Sequence, residues 1–441
     1  MTLRVRQRPT GRRGTALRTG VSLVTLALAV TGCGASSTPG ARADSPRSVT
    51  SGPGTPAPTG VSPAPSRTGT GTPPSTPREA PSASAAPSAS APACTDRYLS
   101  AMTAAQKAGQ LLMGGIPATG ADQAQLATLR ANHVGSVMLT GRSTAGTTAT
   151  RKLVDGLRGQ ADRVAGRQVG LLVSTDQEGG QVQVLKGPGF SAMPSGLTQG
   201  SWPTGTLRTQ AAVWAGQLKA AGVDLNLAPV ADVVPASLGT RNIPIGSFHR
   251  EYGHTADTVT THTGAFAAGF AQSGVLITLK HFPGLGRVIG NTDTTAHVVD
   301  SVTTSTSSSL TPFRAGIRAG APFVMISSAI YSRIDPGHLA AFSPTVIGHL
   351  LRGQLGFKGV VISDDLGNAV AVRSFTPGQR AVNFVEAGGD MVLTVRPSTV
   401  PPMAQALQAR MRQDASFRAK VDAAVRRILD AKRKAGLLDC R

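Results

Sequence analysis

Eight short apolar runs, separated by helix-like segments, follow one another from residue 95 onward. They are rich in Val, Ile and Leu and show little alternation of apolar and polar residues, which is typical of parallel strands buried on both faces. Eight strand–helix units in one domain favour a (β/α)8 TIM barrel, with a doubly wound sheet as the alternative on pattern alone. The predicted strands are residues 110–116, 134–139, 169–175, 223–229, 274–280, 322–328, 359–363 and 390–395. Predicted helical segments include residues 162–167, 206–222, 342–356 and 417–436.

The first 93 residues do not fit this pattern. Residues 1–32 combine an arginine-rich start, a short apolar run and a small-residue site before Cys33. They resemble a bacterial lipoprotein signal peptide, which predicts lipidation of Cys33, with an ordinary cleaved secretory signal as the alternative. Residues 33–93, dominated by Ser, Thr, Pro and Ala, predict a disordered linker. The protein is therefore expected to be exported, and either lipid-anchored to the outer face of the cytoplasmic membrane or secreted, with its domain at residues 94–441.

The net charge of +21 includes six arginines in the predicted signal peptide, whose removal leaves +15. A basic surface favours anionic wall polymers or membrane headgroups as neighbours, and a generally solvated basic surface fits equally well. Nucleic acid is disfavoured as a partner, because export is predicted and only 4% of the residues are aromatic. No cofactor is predicted, and the protein is expected to be a monomer.

Two of the three cysteines lie near the ends of the predicted domain. With Cys33 assigned to lipid, Cys94 and Cys440 remain, and in an oxidising exterior they predict a disulfide that joins the termini. Neither has a Cys or His at ligand spacing, so the sequence does not predict a metal site.

Polar residues follow several of the predicted strands, where a TIM barrel carries its active site. Asp364 is a candidate nucleophile, because a partly desolvated carboxylate at a strand end is suited to attack an electrophilic carbon, whereas Asp365 is expected to cap or support the loop. Arg250 lies in a long loop. It is expected either to bind hydroxyls or a carboxylate, or to be an ordinary solvated side chain. The strand-end residues are Asp176, Gln177, Glu178, Asp232, Lys280, His281, Asp364 and Asp365.

With these residues in place, residues 97–438 resemble glycoside hydrolase family 3, in its single-domain β-N-acetylhexosaminidase branch. The resemblance rests on the order and spacing of several motifs, each weak alone. They are MTAAQKAGQLLMGG, VGSVMLTGR, STDQEGGQVQ, LNLAPVADV, HREYG, LKHFPG, VMISSAIYSRID, GVVISDDL and VRRILDAKRKAGL.

The resemblance implies a retaining glycosidase that removes terminal β-linked N-acetylglucosamine from cell-wall-derived glycans through a glycosyl-aspartate intermediate. Asp364 matches the family's nucleophile. The residues that match its sugar-binding positions are Asp176, Arg250, Lys280 and His281.

The sequence departs from the family where the acid/base pair is expected. Leu285 replaces a family His, and the Asp-x-His triplet becomes Asp293-Thr294-Thr295, with His297 two residues beyond. Three interpretations remain. Asp293 and His297 meet and restore the catalytic dyad, or Asp293 or another acid donates the proton without His297. In the third interpretation, acid catalysis is lost. A second departure is Ser327-Ser328, where the family often has Ala-His. The competing functions are a weakly active or non-catalytic glycan-binding lipoprotein, and a β-glycosidase for another sugar.

Overall fold

A computed structural model describes residues 94–440, and the predicted signal peptide, Cys33 and linker lie outside this range. Eight parallel strands form one sheet. The strands are β1 Leu112–Pro117, β2 Ser136–Thr140, β3 Leu172–Thr175, β4 Leu225–Asn226, β5 Leu276–Phe282, β6 Phe323–Ile326, β7 Val360–Ser363 and β8 Val392–Thr394. Their order in the sheet is β7-β6-β5-β4-β3-β2-β1-β8. A parallel bridge between Ile362 and Met391 joins the two outer strands, so the predicted TIM barrel is confirmed.

Each predicted run overlaps one barrel strand, because both faces of the strands are covered and the run of apolar residues is nearly continuous. β1, β2 and β5 extend one or two residues beyond the predicted ends. Neighbouring strands pair without reversal, as between β1 and β2, where Met113 pairs with Ser136 and Pro117 with Thr140. β4 is shorter than the predicted 223–229, but the backbone N–H of Thr278 still donates to the carbonyl of Ala228 at 2.9 Å beyond its end.

Helices surround the barrel. Three of them, α2, α3 and α9, begin with reciprocal capping boxes, in which a Thr or Asp side chain and a Gln three residues later exchange hydrogen bonds with the backbone. The helices are α1 Cys94–Ala101, α2 Ala104–Gln110, α3 Gln123–Ala131, α4 Gly146–Arg158, α5 Gly196–Gln199, α6 Thr204–Ala220, α7 Ala256–Ala271, α8 Thr311–Arg318, α9 Pro377–Glu386, α10 Val400–Gln413 and α11 Ala415–Lys434, with a π-helix at Thr345–Gln354. In the described part of the chain, no helix has the length and hydrophobicity required to cross a membrane.

Short strands form small additional sheets outside the barrel. The helix predicted at residues 162–167 is wrong: Arg163–Val164 and Arg167–Gln168 form an antiparallel hairpin. Ala165 and Gly166 between them both have positive φ, as a tight two-residue hairpin turn requires. The other short strands are Gln177–Gly179 with Val182–Gln183, and Val299–Asp300 with Ile330–Tyr331 and Asp335–Leu339.

The two ends of the described chain meet where the barrel strands begin. A disulfide joins Cys94 to Cys440, with 5.4 Å between their Cα atoms. The Tyr98 hydroxyl donates to the carbonyl of Asp439 at 3.0 Å, and the backbone N–H of Gly170, just before β3, donates to the carbonyl of Leu437 at 2.9 Å. α1 and the end of α11 therefore lie at the opposite end of the barrel from the carboxyl ends of the strands.

Replacing both Cys94 and Cys440 by Ser should lower the free energy of unfolding by about 2–4 kcal/mol, because the disulfide closes a loop of 346 residues in the unfolded chain. Urea unfolding of the oxidised wild type and the double variant measures the difference. Cys33→Ser is the matched control and should leave the unfolding midpoint unchanged. Equal midpoints for wild type and double variant would show that the disulfide does not stabilise the barrel.

Candidate active site

A cavity of about 410 Å³ opens at the carboxyl ends of the barrel strands. It brings together six of the seven candidate catalytic and sugar-binding residues from the sequence, which lie far apart along the chain. These are Asp176, Arg250, Lys280, His281, Asp293 and Asp364. The strand-end rule for TIM barrels explains this convergence, since β3, β5 and β7 each deliver a polar side chain to the same mouth.

A buried ionic cluster forms one wall of the cavity. Glu178 accepts two hydrogen bonds from Arg250, each 2.8 Å long, through Nε and Nη2. The Lys280 ammonium lies 2.6 Å from a carboxylate oxygen of Glu178 and 2.6 Å from one of Asp176. Because Glu178 and Lys280 are only 5% and 3% exposed, these charges are screened little by water.

The cluster keeps its members ionised. Burial alone would raise the pKa of Glu178, but the positive charges of Arg250 and Lys280 lower that pKa to about 2. Burial would lower the pKa of Lys280, yet the charges of Asp176 and Glu178 raise it above its ordinary value. The cavity therefore presents two cations that Glu178 holds in place from behind, and these are suited to binding sugar hydroxyls in one orientation.

Asp232 holds His281 against this cluster. One Asp232 carboxylate oxygen lies 2.7 Å from Nδ1 of His281, and the other accepts from the backbone N–H groups of His281 at 3.2 Å and Leu285 at 2.7 Å. Nη2 of Arg250 lies 3.3 Å from Nε2 of His281. With its proton on Nδ1, the ring donates to Asp232 and accepts from Arg250, which fixes its tautomer and plane.

Asp364 follows β7 directly and faces the cavity. Its backbone N–H donates to the carbonyl of Ile326 at 3.0 Å, which ties it to β6. The next residue, Asp365, accepts from the backbone N–H groups of Gly367 at 2.8 Å, Asn368 at 3.0 Å and Val395 at 3.0 Å. Asp365 thus supports the loop that positions Asp364.

Asp293 and His297 lie on different cavities. Asp293 lines the same cavity as Asp364, whereas His297 is exposed and lines a separate groove of about 930 Å³. Within residues 94–440, no hydrogen bond or ion pair joins the two side chains. The structure therefore brings Asp293, but not His297, to the nucleophile candidate.

The pKa of Asp293 is raised to about 6. Burial of the carboxyl is the largest cause, and the negative charges of Asp364 and Asp365 act in the same direction. By solvent accessibility the residue as a whole is exposed, although many protein atoms surround its carboxyl, so solvent screens part of this repulsion. A carboxyl with this pKa can hold a proton in weakly acidic solution, as a general acid requires.

The family departures have simple structural consequences. Leu285 is buried and lines the cavity, and its backbone rather than its side chain contacts Asp232. The Ser327 hydroxyl lies 2.9 Å from the hydroxyl of Tyr331, which donates to the carbonyl of Gly284 at 2.9 Å. Ser327 therefore supports the 280–286 loop from behind.

The sequence assigned no definite role to three residues of this site. Glu178 and Asp232 were recognised as strand-end polar residues, but their pairing with Arg250, Lys280 and His281 is visible only in three dimensions. Arg142, which lines the cavity mouth, was not selected at all. It follows the end of β2 at Thr140 closely, so the strand-end rule applied to this strand as well would have found it. Among the described residues, no group of three or more His, Cys, Asp or Glu is arranged to hold a metal ion.

A TIM barrel with carboxylates and paired Arg and Lys side chains in a cavity at its strand ends is compatible with a carbohydrate-processing enzyme. The glycosyl hydrolase family 3 N-terminal domain matches residues 103–431. The chain belongs to glycosyl hydrolase family 3 and is a glycosidase acting on O-glycosyl compounds.

Several relatives are similar over most of the described chain. A beta-hexosaminidase of Xanthomonas axonopodis pv. citri is 34% identical over 309 residues, which cover 68% of this chain and 88% of that protein. The crystal structure of a beta-N-acetylhexosaminidase from Beutenbergia cavernae is 50% identical, with a TM-score of 0.74, and the match covers 75% of this chain and 98% of that one. A family 3 beta-N-acetylglucosaminidase from Paenibacillus sp. is 30% identical with a TM-score of 0.68, over 76% of this chain and 63% of that one.

Replacing Glu178 by Gln should lower the free energy of unfolding by roughly 3–5 kcal/mol, because Arg250 and Lys280 lose their shared buried carboxylate. Urea unfolding measures the change. Glu386→Gln is the matched control: Glu386 also pairs with two cations, but at the surface, so its loss should cost less than about 1 kcal/mol. Equal effects of the two substitutions would contradict a stabilising role for the buried cluster.

Proposed function

We propose that the protein removes terminal β-linked N-acetylglucosamine from cell-wall-derived glycans by a retaining mechanism, with Asp364 as the nucleophile. The position of Asp364 carries the proposal, because it faces the ionic cluster of Glu178, Arg250 and Lys280 across one cavity. The relatives named as beta-hexosaminidases support the sugar specificity.

In the proposed complex, the sugar at the non-reducing end enters the cavity. Asp176, Arg250, Lys280 and His281 bind its hydroxyls, and these hydrogen bonds strengthen as the ring becomes oxocarbenium-like. Asp364 attacks the anomeric carbon and forms a glycosyl ester while the bond to the leaving oxygen breaks. Water then attacks the same carbon, which releases the sugar and restores the Asp364 carboxylate.

We assign the proton transfers to Asp293. Its protonated carboxyl donates to the leaving oxygen in the first step, and the resulting carboxylate accepts a proton from the attacking water in the second. Its place in the cavity of Asp364, together with its raised pKa, supports this role over the dyad with His297.

The second candidate function is a non-catalytic or weakly active glycan-binding protein. The position of His297 on a separate groove favours it, because only Asp293 of the expected acid/base pair then faces the nucleophile. A β-glycosidase for another sugar would use the same cluster of hydroxyl-binding side chains.

We also propose that the protein acts outside the cytoplasm as a monomer. Cleavage of residues 1–32 and lipidation of Cys33 would anchor it to the outer face of the cytoplasmic membrane, and cleavage without lipidation would release it. Residues 33–93 would link the anchor to the barrel.

Asp364→Asn should lower kcat/KM for an aryl β-N-acetylglucosaminide by roughly 10⁴-fold or more, because no glycosyl ester can form. An activated fluorinated glucosaminide should label wild-type Asp364, which peptide mass spectrometry detects. Asp430→Asn, at the far end of the barrel, is the matched control and should keep the wild-type rate. If the wild type neither hydrolyses the aryl substrate nor becomes labelled, the enzyme proposal fails and the binding protein remains.

Asp293 should set the pH dependence of disaccharide hydrolysis. The carboxyl must be protonated to act as acid, so kcat/KM should fall as the pH rises through about 6. Asp293→Asn should abolish this limb and lower kcat/KM by roughly 10²–10⁴-fold, with a smaller loss on an aryl substrate that needs little acid assistance. His297→Ala should keep the limb and most of its rate on a neutral disaccharide. Loss of the limb in His297→Ala would instead establish the dyad.

A further inference from the structure

An apolar groove lies on the outside of the barrel between α7 and α8. It has a volume of about 570 Å³ and shares no lining residue with the active-site cavity. Along α7 it extends from Thr260 to Ala271, which spans about 16 Å of helix. Among the described residues that line it, only Lys434 is charged. We call it the outer groove, and its main lining residues are Ala267, Ala268, Leu276, Leu279, Ala315 and Ala319.

The outer groove reaches the end of the barrel at which the strands begin. Gly274 before β5 and Pro322 before β6 line this end of the groove, together with Lys434, the last residue of α11. The disulfide between Cys94 and Cys440 lies at the same end of the barrel. The chain that precedes Cys94 therefore joins the barrel at the end where the outer groove opens.

A second cavity adjoins the outer groove at this end. It has a volume of about 430 Å³, and the two cavities have Lys434 and residues 320–322 in common. Asp430, which lies 4.0 Å from Arg433, is the only acidic residue among the described residues that line it. We call this cavity the basic pocket, because its charged lining residues also include Lys358, Arg427, Arg433 and Lys434.

Two cations of the basic pocket have no counter-ion in the described part of the chain. Arg427 lies 2.9 Å from a carboxylate oxygen of the buried Asp390. By contrast, no hydrogen bond or ion pair between residues 94 and 440 engages the side chain of Lys358 or of Lys434, and both residues are exposed. The basic pocket therefore has an unbalanced positive charge, which is complementary to an anion.

The two adjoining cavities match the two parts of an anionic amphiphile. An acyl chain is stabilised by every methylene group that leaves water, and the outer groove offers it an apolar surface. A phosphate group at the head of that chain can pair with lysine in the basic pocket. Free sugars and nucleotides lack the apolar part, and neutral lipids lack the net negative charge.

We infer that this end of the barrel binds an anionic phospholipid of a membrane, with its phosphate in the basic pocket and one acyl chain in the outer groove. The second acyl chain stays in the bilayer, so the protein docks with the beginnings of its strands toward the membrane. The active-site cavity, at the carboxyl ends of the strands, then lies on the side away from the bilayer. This site is independent of the proposed lipidation of Cys33 and of the proposed glycosidase activity.

Binding to vesicles tests the inference. The full-length chain with Cys33→Ser, which cannot be lipidated, is mixed with vesicles of phosphatidylcholine alone or with added phosphatidylglycerol, and flotation measures the bound fraction. Binding should be tighter with phosphatidylglycerol and should weaken as salt is added. Replacing both Lys358 and Lys434 by Ala should weaken it by roughly 25-fold, the scale for two lysines at an anionic surface.

Replacing both Lys152 of α4 and Arg208 of α6 by Ala is the matched control. It removes the same charge from exposed positions outside both cavities and should leave binding close to that of the parent chain. Residues 1–93 are common to all variants, so their own affinity for vesicles does not affect the comparison. Equal weakening by the two double variants would show that net charge alone drives binding, and the inference would be wrong.

Gly264 of α7 tests the outer groove separately. A Cβ atom at this position would meet no atom of another segment within 4 Å, so Gly264→Leu fills part of the groove without a clash. It should weaken binding to the anionic vesicles by about 4-fold for each acyl methylene group that it keeps out. Gly156→Leu on α4, where a Cβ atom has equal space, is the matched control and should not weaken binding. Urea unfolding should show that neither substitution lowers the midpoint, because Leu favours helix over Gly.

Titration calorimetry distinguishes a lipid from other occupants. Dioctanoyl phosphatidylglycerol, below its critical micelle concentration, should bind more tightly than dioctanoyl phosphatidylcholine and inorganic phosphate, and Gly264→Leu should weaken its binding. Equal affinity for phosphatidylglycerol and inorganic phosphate would leave a simple anion site and overturn the inference. A dimer in sedimentation velocity that Gly264→Leu dissociates, with lipid binding unchanged, would assign the outer groove to a second copy of the chain instead.

Discussion

The sharing of Glu178 between Arg250 and Lys280 is the interaction on which the rest of the active site depends. Two cations at the mouth of a barrel would repel each other and lose hydration, and one buried carboxylate compensates both. The three residues come from the loop after β3, the loop after β4 and β5 itself. Their ion pairs therefore fix three separate segments relative to one another, and Asp176 and His281 take their positions from this arrangement.

The cavity has two halves of opposite electrostatic character. In the half around Arg250 and Lys280, positive charge keeps Glu178 ionised, with a pKa of about 2. In the other half, Asp293 lies near Asp364 and Asp365, and burial together with like charge raises its pKa to about 6. Two carboxyl groups, one behind the cavity wall and one in the cavity, are thus given different pKa values by their surroundings. A retaining glycosidase needs a carboxyl that can hold a proton as general acid, and the raised pKa suits Asp293 to that role.

The barrel and most of the site residues could be predicted from the sequence for one reason. Strands buried on both faces give continuous apolar runs, and polar residues directly after them must lie at the same end of the barrel. Asp176, Lys280 and Asp364 followed from that rule alone, and the family resemblance then gave them roles.

What could not be predicted lies in the loops. The segment at 162–167 looked helical, but Ala165 and Gly166 both take positive φ and reverse the chain. The four-residue spacing of Asp293 and His297 left open whether they meet. The spacing does not reveal that the backbone N–H groups of residues 370–371 bind the carbonyls of residues 292–293. In the structure, Asp293 faces one cavity and His297 another. The partners of Glu178 also come from distant segments, so its role could not be read from its neighbours in the sequence.

The position of the disulfide has a mechanical consequence. Cys94, through which any preceding chain must enter the barrel, is covalently joined to Cys440 beyond α11. A force on the preceding chain is therefore shared between α1 and α11, and it does not act on α1 alone. Because this attachment lies at the end where the strands begin, a force along the preceding chain acts on the end of the barrel opposite the cavity mouth.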